Sequence, residues 1–430
     1  MTPRRTLAEW LTLQEQVHGS AIDLGLGRVG EVARALGVDR PGYRVITVGG
    51  TNGKGSTCIC LEAMLEASGV RTGLLTSPHL LRYNERIHVD GREATDAELV
   101  TVFERIEAAR GNTTLTFFEY NTLAGLLLFA DARVDVAVLE VGLGGRLDAV
   151  NVVDADVGVV CSVGFDHRDW LGDTLAAIGR EKAGIFRPGR PAVLGTPDMP
   201  PSVYDTIGRL GARVVVAGRD VSWTVRGDRW DYLGLSVRLI DLPRPALQGE
   251  VQFRNAATAL AAIESLPSAP RLDAAGIGAA LAGLVLPGRF QLIPSTDGAP
   301  EWVLDVAHNE PAARVLADNL NAHPVPGRTI AVCGILQDKD AAAIARVMAG
   351  CAQEWIVCGL PGPRGTEAAA LAARLSPAVQ ATALVPTVAA GLELARARAV
   401  GDDRVLVFGS FITVAAALEW LSWNSAPRKG

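Results

Sequence analysis

Cysteine is scarce in this chain and nowhere arranged as a staple. The six residues Cys58, Cys60, Cys161, Cys333, Cys351 and Cys358 include no C-x-x-C pair. That excludes a small zinc module or a thiol–disulfide motif. The apolar settings "VGVVCSV" and "TIAVCGIL" predict buried free thiols in a reducing compartment. Cys58 and Cys60 fall on a predicted helix, where positions two apart face different ways, so they do not form half of a metal site. Long apolar runs are also missing. The longest strongly apolar stretch, "LAGLLLFA" at 123–130, is far too short to span a bilayer. The first residues, "MTPRRTLAEWLTLQEQVHG", carry two arginines but no signal-peptide core. A cytoplasmic protein without a membrane partner is expected. There is no long basic run either, and the formal net charge is -6, so nucleic acid is excluded as a main partner. Small anions are not excluded, because a local loop can bind them in an acidic protein.

What is present is an ordinary globular composition, 49% hydrophobic and 20% charged, over 430 residues. That length predicts two or three domains. Short apolar runs at 44–48, 72–76, 134–141, 156–163 and 191–195 read as buried strands. Helical patterns at 56–68, 96–110 and 171–183 lie between several of them. Near-continuous apolar strands alternating with helices predict an α/β fold with a mostly parallel sheet. The N-terminal domain is expected to be of P-loop type, flanked by helices. Residues 221–240 alternate polar and apolar positions around Gly-Asp and Leu-Gly turns, which predicts two or three antiparallel strands at its edge. A helix is expected at 253–266. The Pro- and Gly-rich stretch 286–301 marks a boundary. Strands then restart at 302–306, 328–334, 354–359 and 404–409, predicting a smaller Rossmann-like α/β domain. The expected division is 1–287, a linker at 288–295, and 296–430.

The stretch "GGTNGKGST" (49–57) departs from the P-loop spelling G-x-x-x-x-G-K-[ST]. Val48 stands at the first glycine, and Gly55 at the Ser/Thr. Its physics is still that of a phosphate loop. A strand runs into glycines that let backbone N–H groups approach an anion, and a helix N-terminus near Ser56 favours negative charge. Lys54 supplies a point charge. The hydroxyls of Ser56 and Thr57 are placed to cap the helix or to touch a metal.

Other strand ends carry chemistry. Glu140 closes the apolar run "VAVLE" before a glycine-rich turn. A buried carboxylate there must be paired, with Arg146 or Lys182, or hold a cation. At the C-terminal end of a parallel strand it faces the crevice where ligands bind. His167 follows the run 156–163. Its chemistry leaves a structural role and a magnesium-ligand role open, imidazole being an unusual partner for so hard a cation. Lys182 reads locally as a partly exposed helix lysine. Asp305 and His308 follow the strand at 302–306. Asp305 suits ribose hydroxyls, and the alternative is simple capping by Asn309 before Pro311.

The motifs "GTNGKGS", "SPHLLRYNERIHVDG", "TFFEYNTLA", "LEVGLGGRLDAVN", "DHRDWLGDTLAAIGREKAGIF", "LPGRFQ", "LDVAHN" and "GILQDKD" occur in that order. Together they closely resemble the bacterial folylpolyglutamate synthases of the bifunctional dihydrofolate synthase type, within the Mur ligase superfamily. The resemblance runs from about residue 8 to about 420. It implies an ATP-dependent ligase that activates a carboxylate as an acyl phosphate and joins L-glutamate to it. Its substrates would be dihydropteroate and reduced folates, its cofactors ATP and Mg2+, and its state a monomer. Carried over by motif, Thr51, Asn52, Gly53, Lys54, Gly55 and Ser56 would bind ATP, with Asn255, Arg289, Asp305 and His308. Ser77, Glu140 and His167 would hold magnesium, with Lys182 as a carbamate. Lys54, Lys182 and His167 would be catalytic.

Three further segments match the dihydropteroate pocket of the bifunctional enzymes. They are Asp23, Leu24, Gly25 and Leu26; Thr116, Phe117, Phe118 and Glu119; and Leu147, Asp148 and Ala149. Their presence implies dihydrofolate synthase activity as well as tail extension, with a monofunctional folylpolyglutamate synthase as the nearest alternative, which an assay with dihydropteroate as sole acceptor separates. A ligase acting on a cell-wall nucleotide precursor would be expected to carry a separate N-terminal domain ahead of the loop at 49. One departure is visible. The family usually reads "HNP", and here Glu310 displaces the proline by one position.

Overall fold

The computed structural model describes residues 4–294 and 299–425. The boundary stretch at 286–301 is therefore seen except for 295–298, which lie outside the described residues along with the last residue of the expected linker. Two compact units emerge. The first comprises the described residues to Ala246 together with Gln252–Leu284. The second comprises Leu247–Val251 and the described residues from Val285 onward. The short segment 247–251 joins the second unit because its Gly249 lies against the Asn319 side chain, a long-range contact that composition does not reveal.

The first unit is built on eight strands: β1 (Arg44–Gly49), β2 (Thr72–Leu75), β3 (Ile87–Val89), β4 (Arg92–Glu93), β5 (Val136–Glu140), β6 (Val157–Val160), β7 (Pro191–Leu194) and β8 (Arg213–Val216). Their order is β4-β3-β2-β5-β1-β6-β7-β8. All pairings from β2 to β8 are parallel, and β3 and β4 extend the β2 edge as antiparallel strands. The register pairs Val48 with Glu140 and Gly49 with Val160. The chain therefore leaves β1, β5 and β6 at adjacent points on one edge, the crevice of an open α/β sheet.

Helices cover this sheet. Leu7–Val17 and Gly27–Leu36, two helices not among those expected from the sequence, pack beside Asp96–Arg110 and Phe117–Ala132. Trp10 meets Phe103 with ring centroids 6.1 Å apart. Capping boxes start three of these helices, with Thr6 and Glu9, Thr95 and Glu98, and Thr116 and Glu119. The predicted helix 171–183 is interrupted. Arg168–Leu171 and Leu175–Ala183 are separate, because Thr174 caps the second one through Ala177 N. The alternating stretch 221–240 forms three antiparallel strands, β9 (Ser222–Arg226), β10 (Arg229–Leu233) and β11 (Arg238–Pro243), in a sheet of their own.

The second unit holds β12 (Gln291–Ile293), β13 (Glu301–Asp305), β14 (Thr329–Cys333), β15 (Glu354–Cys358), β16 (Ala383–Val385) and β17 (Arg404–Phe408), in the order β12-β13-β17-β14-β15-β16. Only β12 is antiparallel. The ends of β13, β17 and β14 coincide, since Phe408 pairs with both Asp305 and Cys333. All six cysteines are free thiols. Cys351 is half-buried and the other five are buried. No helix among the described residues is long and apolar enough to cross a membrane.

Candidate active site

The loop after β1 is held from beneath by the chain leaving β6. Thr51 N donates to Ser162 O at 2.8 Å. The Thr51 hydroxyl donates to Gly164 O at 3.1 Å and accepts from Gly164 N at 3.0 Å. Asn52 N donates to Ser162 Oγ at 3.1 Å, and that hydroxyl donates to Asn52 O at 2.9 Å. Two glycines are required by close approach and conformation together. Gly50 (φ 142°) would place a Cβ 3.1 Å from that of Cys161, and Gly53 (φ 91°) would place one 3.0 Å from Asn255 Oδ1. The helix Lys54–Ala67 starts two residues earlier than expected, with Gly53 as its N-cap. Ser56 and Thr57 are thus inside its first turn and do not cap it. Thr57 is fully buried and accepts from Cys161 Sγ at 3.4 Å.

Two lysines converge under this loop. Lys54 Nζ donates to Gly50 O at 3.1 Å and to Thr51 O at 3.3 Å. Lys182 Nζ donates to the same Gly50 O at 3.0 Å. Lys182 is only 5% exposed, which corrects its local reading as a partly exposed lysine. The helix Leu175–Ala183 turns that face inward. Burial first, then the Lys54 charge, pulls its ammonium down to about 7.

Glu140, also buried, accepts from Ser77 N at 3.2 Å. Neither side-chain partner considered from sequence is hydrogen-bonded to it, since Arg146 pairs with Glu181 at 2.9 Å and Lys182 turns to Gly50. His167 lies in the left-handed region (φ 51°) just before the short helix Arg168–Leu171, and its N–H donates to Asp166 Oδ1 at 2.9 Å. Among the described residues no group of three His, Cys, Asp or Glu side chains forms a metal cage.

The three segments expected from the resemblance to line a dihydropteroate pocket meet in the first unit. Arg28 Nη1 donates to Asp23 Oδ2 and Nη2 to Asp23 O, both at 2.8 Å, and Nη2 also lies 3.3 Å from Glu119 Oε1. His18 bridges Asp23 Oδ2, at 3.1 Å, and Thr114 Oγ1, at 2.9 Å. Leu24 and Gly25 are half-buried in the turn between, and Leu26 caps the helix Gly27–Leu36. Thr116 and Glu119 form the capping box of the next segment, and Phe118 lies against Gly142, where a Cβ would sit 2.8 Å from its ring. The 142–149 turn is closed by Asp148, which accepts from Leu143 N at 2.8 Å and Val150 N at 3.1 Å, with Leu147 and Ala149 on either side. Burial raises the Asp148 carboxyl to about 7.

In the second unit Asp305 accepts from Phe290 N at 2.8 Å and from Ala307 N at 2.7 Å. Burial raises its pKa, and the Arg289 charge opposes that. Arg289 lies 5.2 Å from the Phe411 ring, and the His308 ring is 6.2 Å from the same residue. Asn309 caps the following helix as that alternative expects, its Oδ1 accepting from Ala312 N at 3.0 Å.

Comparison with known proteins matches residues 48–220 to the Mur ligase middle domain and residues 288–411 to the Mur ligase glutamate ligase domain. The dihydrofolate synthase/folylpolyglutamate synthase of Escherichia coli K12 is 44% identical over 96% of this chain and 95% of its own length. That of Haemophilus influenzae is 41% identical over 95% of this chain and 96% of its own. This chain belongs to the dihydrofolate synthase/folylpolyglutamate synthase family. Members with solved structures share its fold closely. E. coli FolC in complex with DHPP and ADP has a TM-score of 0.92 at 43% identity, covering 99% of this chain and 100% of that one. A bifunctional folylpolyglutamate synthase/dihydrofolate synthase with Mn, AMPPNP and L-glutamate bound has a TM-score of 0.89 at 43% identity, covering 98% and 100%.

Within this family member, Ser162, His18, Arg28 and Gln252 were not singled out from the sequence. Gln252 accepts from Asn255 Nδ2 at 2.9 Å. Each acts through contacts distant in sequence or hidden in a helix, and no local pattern announces them. Glu310, the departure in "HNEP", takes the first helical position and pairs with Arg314 at 2.5 Å, leaving Pro311 second.

Proposed function

We infer that the chain is an ATP-dependent carboxylate–amine ligase. It joins L-glutamate to dihydropteroate, making dihydrofolate, and adds glutamates to the γ-carboxylate of reduced folates. The observation that carries this reading is the convergence of Lys54 and Lys182 on Gly50 O, beneath a phosphate loop on the same sheet as the folate segments. The residue roles are assigned as follows. Thr51 to Ser56, with Asn255, hold the phosphates of ATP. In the C-terminal unit, Arg289, Asp305 and His308 form the group assigned to nucleotide recognition. Asp23–Leu26, Thr116–Glu119 and Leu147–Ala149 line the pterin side.

Glu140 and Ser77 fit a magnesium ion. Both side chains carry hard oxygen donors, the Ser77 N–H is bonded to the Glu140 carboxylate, and magnesium commonly takes only one or two protein ligands beside phosphates and water. His167 and Lys182, as its carbamate, are assigned to a second ion. When bound, the metal neutralises charge between two anionic reactants. The protein's own part is to aim Lys54 at the transferring phosphoryl group and to present backbone N–H groups to its oxygens. A buried amine with its pKa near 7 is partly neutral at physiological pH, the form that reacts with carbon dioxide to give a carbamate. In the reaction the substrate carboxylate takes the γ-phosphoryl group of ATP with ADP leaving, and the acyl phosphate so formed is attacked by the glutamate amine with inorganic phosphate leaving.

The enzyme is taken to be a cytoplasmic monomer, which light scattering of the purified chain tests. The activity is tested by phosphate release with ATP and magnesium, offering dihydropteroate or tetrahydrofolate separately. Release is expected with each acceptor only when glutamate is added. Glutamate-independent release alone would sink the ligase reading, and release with tetrahydrofolate only would make the enzyme monofunctional.

A further inference from the structure

Arg86 is a buried cation on which Glu140 and Glu85 act only from a distance, without a salt bridge. It closes the short turn Tyr83–Arg86 and is 8% exposed. Its guanidinium makes one hydrogen bond, Nε donating to His79 Nδ1 at 2.6 Å, and forms no ion pair among the described residues. The neighbouring carboxylate of Glu85 is turned away, accepting from the N–H groups of Leu80, Leu81 and Arg82 at 2.7–2.9 Å. The guanidinium is 5.6 Å from the Tyr83 ring centroid and 5.3 Å from that of Phe117. An arginine cannot shed its charge as a buried lysine does. A desolvated cation whose fork lacks an anion is unfavourable, and the arrival of one relieves it.

The placement identifies the anion. Arg86 ends the segment that begins at Ser77, whose N–H holds Glu140, and Thr76 N donates to Arg86 O at 2.8 Å, drawing the two ends of that segment together. On its other side stands Phe117, the first helical residue of the "TFFE" segment. The cation therefore links the acidic strand end to an aromatic wall. A ligand that stacks an aromatic ring along that wall and directs a carboxylate toward Glu140 satisfies both neighbours. A guanidinium N–H not used by His79 can donate a charge-assisted hydrogen bond to one carboxylate oxygen.

We propose that Arg86 binds the substrate carboxylate that is to be phosphorylated, on dihydropteroate and on a reduced folate alike. This rests on reading the Phe117 segment as a wall of the folate pocket. By engaging one carboxylate oxygen, Arg86 leaves the other directed at the phosphoryl donor. It is thus a substrate-binding residue of the reaction centre.

The test is calorimetric binding of two ligands: dihydropteroate, and the same pterin joined to aniline, which lacks the carboxylate. The wild-type protein is expected to prefer dihydropteroate by about 30-fold or more. Arg86→Met is expected to erase that preference while holding the aniline analogue within about threefold, and Arg86→Lys to keep part of it. Equal weakening of both ligands by Arg86→Met means a structural role and overturns the proposal, as does survival of the preference. So does a wild-type protein that shows no preference, whatever the fate of the variants. Phe118→Ala separates the two readings. If it leaves both ligands unaffected while Arg86→Met erases the preference, the pocket wall is misplaced and Arg86 stands. If it weakens both equally and Arg86→Met changes nothing, the pocket stands and Arg86 falls.

Discussion

Lys54 and Lys182 donate to one and the same carbonyl oxygen, that of Gly50, at 3.1 and 3.0 Å. Two ammonium groups on one acceptor repel each other. Burial first, and then the Lys54 charge, lowers the pKa of Lys182, which becomes a group whose protonation can change near neutral pH.

Lys54→Ala is expected to abolish ATP-dependent glutamate ligation with either acceptor. Phosphate release by the purified, folded variant checks this, and near-wild-type turnover would contradict the assignment of the loop.

Lys182 gives a pH signature. Its pKa is near 7 when folded, against about 10.4 for an ordinary lysine. Between those values the unfolded chain holds the proton and the folded protein does not. This group's contribution to stability therefore rises with pH across that window, by up to about 1.4 kcal/mol per unit. Denaturant titrations in carbon-dioxide-free buffer should show Lys182→Met gaining most over wild type at pH 7 and losing that advantage by pH 10. A constant difference would mean that the lysine is not buried as a cation. In the presence of bicarbonate, an intact-mass measurement of wild type should reveal a labile carbonyl adduct that the methionine variant lacks.

Gly50→Ala is expected to lower stability by about 1–3 kcal/mol and to weaken ATP binding at least tenfold. A Cβ there meets Cys161 at 3.1 Å from a backbone conformation that L-residues rarely adopt. Thermal melts and nucleotide titration measure the two effects separately. The atoms met are Cys161 Cβ and the backbone nitrogens of Cys161 and Ser162, all of which an alanine at 161 retains, so Cys161→Ala in the same background is expected to bring no recovery.

Arg28 ties Asp23 to Glu119 across ninety-odd residues of sequence. Arg28→Met should raise KM for dihydropteroate by about threefold to tenfold, while KM for ATP holds. Parallel loss of both would indicate general destabilisation instead.

Much of the fold was legible because strands buried on both faces write themselves as unbroken apolar runs; β1, β5, β6 and β7 lie within a few residues of where such runs occur. Short strands at sheet edges did not. β12 and β16 have only three residues each, too few to show a period. The helix Phe117–Ala132 was missed for the opposite reason. It is buried on all sides, so it has no polar face to mark a helical repeat. At the site, residues attached to glycine-rich turns after strands stood out singly. What the sequence could not supply was burial. Lys182 looked like one member of a charged run, and only the packing of its helix shows that it faces inward. Likewise Arg28 and Arg86 are two arginines among many until their partners, or the lack of them, are seen.

The helix Phe117–Ala132 has a further consequence. Its first turn carries the aromatic wall assigned to the folate, and its remaining turns are packed into the hydrophobic centre of the unit, from Tyr120 to Phe129. Changes at Phe117 or Phe118 that would shut out a competing antifolate also disturb the start of that packed rod and the glycine turn beneath it. Escape from an inhibitor seated here would thus be bought with solubility and lifetime of the enzyme. Resistant lineages should more readily alter the exposed side of the "DLGL" turn, where Asp23 meets solvent.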